Sequence, residues 1–113
     1  MRLSLYSYAF DFRQVGAFVI ATLRLGSAIR DVAIVVLDAY TDPAAVVRIG
    51  VAADPSAIMR GSDSVLRVAG EYRSLETRVG TVAMGFYAPI ILTLTPHASP
   101  RGMGRVFYTL EDS

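Results

Sequence analysis

Apolar residues recur along the chain in short runs rich in β-branched and aromatic side chains, separated by Gly, Pro, Asp and Ser. That punctuation predicts strands. Val32–Leu37 (VAIVVL) reads as the clearest core strand, with others at Val46–Ala52, Val65–Ala69, Tyr72–Val79, Val82–Tyr87, Ile90–Thr95 and Arg105–Leu110. Val15–Leu25 is apolar with little alternation, as in a strand covered on both sides, and Gly16, Gly26 and its β-branched content count against a helix. The Asp38–Pro43 segment reads as a turn, with Asp and Pro in their preferred roles. Only Asp54-Pro55 carries a helix-start signal, Asp as N-cap and Pro at the first helical position, and Gly61 stops it after a turn. The expected fold is all-β: a single-domain β-sandwich or jelly roll of about eight strands with one short helical turn.

The N-terminal segment changes parity. Leu3 and Leu5 point one way, and Tyr6, Tyr8, Phe10 and Phe12 fall on the other. One flat strand cannot bury all six on one face, so either a bulge interrupts it or an arm leaves the domain and meets a neighbour. Residues 1–13 are therefore expected as an N-terminal arm or edge strand and 14–113 as the sandwich. The six apolar residues named above are the candidate interface, an assembly element rather than sandwich core.

Composition sharpens this picture. With 113 residues the chain has room for one domain. Hydrophobic residues make up 53% and charged residues 19%, more apolar and less charged than a lone monomer of this size carries comfortably, so self-association is expected. A net charge of +1 argues against nucleic-acid binding by bulk electrostatics. Arg67, Arg73 and Arg78 cluster around Tyr72, but Glu71 and Glu76 neutralise them. The opening residues lack the sustained apolar core of a signal peptide. The charge-free stretch between Arg78 and Arg101 has the length of a membrane span, but Gly80, Gly85, Pro89, Pro96 and Pro100 break it into strands and a turn.

Candidate chemistry is sparse. There is no cysteine and no lysine, which removes thiol nucleophiles, disulfides, Cys-based metal sites and Schiff-base chemistry. His97 is the single histidine, in a proline-bounded loop, and is expected at the surface; Ser99 nearby sits in no nucleophile elbow. The aspartates fall singly in turns, and Glu71 and Glu76 lie an odd number of positions apart, on opposite faces of a strand. Gly80–Gly85 and Gly102-Met103-Gly104 lack the context of phosphate loops. No catalytic, cofactor-binding or metal-ligating set is expected, and the chain is read as non-enzymatic.

From about Leu23 onward the order of elements resembles small β-sandwich virion proteins of tailed bacteriophages, of the auxiliary head or neck type. The residues that carry the resemblance are Thr22–Gly26 leading into Ile29–Leu37, then Val47–Ala53 with Asp54-Pro55 through Met59, then Pro89–Thr95, and finally Gly102 and Gly104 before Arg105–Tyr108. The resemblance implies a capsid decoration or cement protein that stabilises the head shell, located in the virion. It implies a homo-oligomer, a trimer, with the major capsid protein or other virion proteins as partners and neither nucleic acid nor membrane. Its alternatives are a neck, tail or fibre-base component, or a carbohydrate-binding sandwich module.

Overall fold

A computed structural model describes residues 2–23, 28–73 and 88–112. Its strands are β1 (Arg2–Asp11), β2 (Gly16–Leu23), β3 (Ala28–Asp38), β4 (Val47–Val51), β5 (Asp54–Met59), β6 (Gly70–Arg73), β7 (Ala88–Leu94) and β8 (Met103–Asp112). They form two antiparallel four-stranded sheets, ordered β1-β8-β3-β6 and β2-β7-β4-β5. Strand β1 pairs with β8, β2 with β7, β3 with β6 and β4 with β5, so the chain is one long hairpin wrapped into two layers. The expected all-β sandwich is the fold observed.

The core lies between the layers. Phe10, Ile34, Val36, Val106 and Tyr108 from the first sheet meet Val47, Ile49, Ile58, Leu92 and Leu94 from the second. Each large side chain so buried contributes about 1.5–3 kcal/mol. Strand β3 reaches further back than the VAIVVL run because a bulge lets it change phase. Its register shifts between Arg30 and Ala33, with Asp31 at φ 52°, so that Ile29 and then Val32, Ile34 and Val36 are all buried. A second bulge, between Val19 and Ala21 in β2, leaves the Ile20 carbonyl off the ladder, and Tyr108 Oη donates to it at 2.7 Å. That bond ties the two layers together.

Two expectations are corrected. Asp54–Met59 is a strand, not a helical turn: Asp54 Oδ1 accepts from Ser56 N at 3.1 Å in a local turn, and Met59 pairs with Ile49. A helix of so few residues is marginal by itself. Pairing with β4 instead gives the backbone partners and buries Ile58 and Met59 completely. Pro55 fits because β5 is an edge strand, where a missing N–H costs nothing. The short helical turn is the 3-10 segment Gly61–Asp63. Val65–Ala69 is a turn rather than a strand, closed by Val68 N donating to Val65 O at 3.1 Å, and only Leu66 of its apolar residues is buried. The polar strand expected at Tyr72–Val79 is described only as far as Arg73, in β6, which starts at Gly70. The strand expected at Val82–Tyr87 lies outside the described residues.

Strand β1 lies at one edge of the first sheet. Strand β1 keeps one unshifted register with β8 from Arg2 opposite Asp112 to Asp11 opposite Met103. No bulge accompanies the change of parity. The strand simply presents one apolar set to each face.

Candidate interaction surface

The six candidate interface residues do not act as one group. Phe10 belongs to the core, 2% exposed, with Tyr8 and Phe12 packed beside it half-buried. Tyr8 Oη accepts from Gln14 Nε2 at 3.3 Å, and the Arg13 guanidinium sits 5.6 Å from the centre of the Phe12 ring. Tyr6 faces the same side as Phe10 yet stays 46% exposed, stacked on Tyr108 with ring centres 5.6 Å apart. Leu5 points to the other side and is 74% exposed. Leu3 contributes backbone pairing opposite Glu111; its side chain lies outside the described set. Leu5 and Tyr6 are thus the members of the set that stand free for a partner.

The outer face of the first sheet extends this surface. Register places Ser7, Phe107, Ala33 and Arg73 in one cross-strand row, and Ala9, Arg105, Val35 and Glu71 in the next. Arg105 Nη1 donates to Ser7 Oγ at 3.0 Å, and Arg73 pairs with Glu71 at 2.8 Å. Leu37 and Met103 are exposed beside them, and Val19 is exposed on the second sheet. Sequence reading missed these three. Their signal was apolar character at both parities of a run, which marks a strand with something to cover on each side.

Polar residues concentrate at the end of the sandwich where the loop 95–102 folds over residues 40–46. Ser99 is buried, and its Oγ accepts from the backbone N–H groups of Thr41 (3.2 Å) and Asp42 (2.8 Å). The Asp42 carboxylate accepts from Ala44 N at 2.9 Å and Ala98 N at 2.6 Å, and these bonds hold its pKa below the ordinary value. Thr95 Oγ1 donates to Ala44 O at 2.6 Å and accepts from Val46 N at 2.9 Å.

His97 is not a free surface side chain. Its ring meets Tyr40 edge-on at 5.2 Å, and its Nδ1 accepts from Ser99 N at 3.1 Å. Burial, with a lesser contribution from the Asp11 charge, pushes the Tyr40 phenol up to about 12. Ser99 Oγ, His97 Nδ1 and the Asp42 carboxylate therefore accept from backbone N–H groups of these two segments. This is a clamp, not a nucleophile and its base.

Among the described residues no three His, Cys, Asp or Glu side chains come together as a metal site. No helix among them is long and apolar enough to cross a membrane. A shallow groove runs over β4 and β5, lined by Val46, Arg48, Asp54, Ser56, Arg60 and Ser62. Arg48, Asp54 and Arg60 make the groove mixed in charge.

Fold and surface together define a small two-layer β-sandwich with exposed apolar residues on an edge strand and on its sheet faces. No family model and no curated protein sequence matches the chain. Among solved structures it is similar to a chain of the cyanophage Pam1 capsid asymmetric unit, with a TM-score of 0.71 and 14% identity over 98% of this chain and 85% of that one. The likeness is one of fold.

Proposed function

We propose that this chain is a structural protein of a bacteriophage virion, seated on the head shell as a decoration or cement protein. The observation that carries the reading is a fold shared over nearly the whole chain with a component of a phage capsid asymmetric unit. The nested pairing of β1 with β8 through β4 with β5 supports reading the sandwich as a jelly roll. The polar residues spent on backbone clamps, and apolar residues such as Leu5, Val19 and Leu37 left at the surface, fit a protein that works by contact.

A cement protein acts by number. Many copies, each bridging neighbouring shell subunits through a modest contact, resist internal pressure by avidity. Its partners are then the major capsid protein or other virion proteins and further copies of itself, and it resides in the virion. The exposed apolar residues support self-association without setting its number.

Counting copies in purified particles by quantitative mass spectrometry tests it. Shell decoration requires on the order of hundreds of copies per particle, as a multivalent contact does. A handful, matching a ring at a single vertex, would move the protein to the neck or tail. Absence from particles that package DNA would overturn the virion reading.

A further inference from the structure

A sandwich has four sheet edges, and three of these are protected. The β2 edge is bulged at Ile20. The β5 edge carries Pro55 and an irregular register with β4. The β6 edge has four described residues, of which Glu71 and Arg73 are charged and exposed. Bulges, prolines, short strands and charges are the devices that keep edges from pairing. The β1 edge has none of them: ten residues, no proline, no register shift, and no charge from Leu3 to Phe10.

The backbone parity of β1 is fixed by three bonds at its end. Phe12 N donates to Gly102 O at 2.9 Å, continuing the register with β8, so even-numbered residues turn their N–H and C=O groups toward β8. Odd-numbered residues then turn theirs outward. Asp11 shows this, since its N–H donates to Gln14 Oε1 at 3.0 Å and its C=O accepts from Gln14 N at 3.1 Å. Gln14 closes the edge there. Leu3, Leu5, Ser7 and Ala9 remain, their outward backbone groups uncapped by any bond within the described residues.

We propose that this edge is a contact between two copies of the chain, β1 pairing antiparallel with β1 of the second copy about a twofold axis at Tyr6. In that register Leu3 lies opposite Ala9 and Leu5 opposite Ser7, so all four outward residues of each copy form ladder pairs and none is left over. Any shift of the axis along the strand strands at least one of them. Tyr6 lies opposite Tyr6, which covers the tyrosine that faces inward yet remains half-exposed at the rim. Leu5, the most exposed large apolar residue among those described, gains the neighbouring strand of the second copy. Arg2 falls opposite Phe10 of the second copy, so no charged residue of the ladder faces a like charge. The two first sheets become one eight-stranded sheet. The contact holds whether or not the chain sits on a capsid.

Light scattering of the full chain at tens of micromolar tests this, with two variants. Wild type should run at the mass of two chains. Ser7→Pro removes an outward N–H that the fold does not use and should give one chain that still unfolds cooperatively. Leu5→Asp, which sets two carboxylates near the axis, should do the same without touching the backbone. Amide exchange supplies a readout that folding alone would not move: the N–H groups of Leu5, Ser7 and Ala9 should exchange at least about tenfold more slowly in concentrated than in dilute wild-type protein. A single-chain mass for wild type overturns the proposal. So does an odd-numbered oligomer, or a two-chain mass that survives in either folded variant.

Discussion

The ring of Phe10 lies across Gly104, its Cζ 2.5 Å from where a β-carbon on that glycine would stand. The two residues are directly opposite in the β1–β8 ladder, so the first strand anchors itself by using the missing side chain of the last. Gly104→Ala must displace that ring, against the Val35 carbonyl on the other side. Overpacking of this kind costs about 1–3 kcal/mol. Urea unfolding should show a lower midpoint with an unchanged slope. An unchanged midpoint would mean that Phe10 is not seated there.

The same anchor decides what the N-terminus does. Deleting residues 1–12 removes an entire strand, uncovers the β8 ladder and takes Phe10 out of the core. Truncating a buried phenylalanine alone costs about 3–5 kcal/mol, against a total stability of about 5–15 kcal/mol for a domain of this kind. The shortened chain should lose its cooperative transition and its near-ultraviolet dichroism. A truncated protein that keeps both would show that β1 is a detachable arm.

What could be read from the sequence was what depends on neighbours within a strand. The buried parts of β4 and β7 follow from alternation in Val47–Val51 and Ile90–Leu94. The parity change between Leu5 and Tyr6 was visible, and the structure gives it a meaning: opposite faces of one regular strand. What could not be read depends on partners far away in the chain. Asp54-Pro55 carries a local helix signal, but pairing with β4 overrides it. Val65 and Val68 look like strand residues and are held in a turn that exists because Tyr40 N needs the Leu66 carbonyl, at 2.8 Å. That β1 lies beside β8 and β5 beside β4 follows from sheet order, which no window of local sequence contains.

The loop clamp at Asp42 gives a pH dependence whose sign is fixed. Its carboxyl is held below the ordinary value of 3.8 first by the Ala44 N–H and then by the Ala98 N–H. A depressed folded pKa contributes stability that is present above the unfolded value and lost as pH falls through the folded one. Asp42→Asn should therefore unfold at lower urea than wild type at pH 6, and the gap should narrow as pH falls below the ordinary carboxylate value and through the depressed folded one. A gap that stays constant across that range would assign the clamp to shape rather than to the carboxylate.

A sandwich that sits on a phage head, as proposed, must return to particles that lack it. Particles assembled without the chain should be mixed with purified protein, sedimented, and heated while DNA release is followed. The account predicts saturable binding in fixed proportion to the shell subunits and release of DNA at a higher temperature than from bare particles. Protein that stays in the supernatant at every concentration, with the release temperature unmoved, would contradict it.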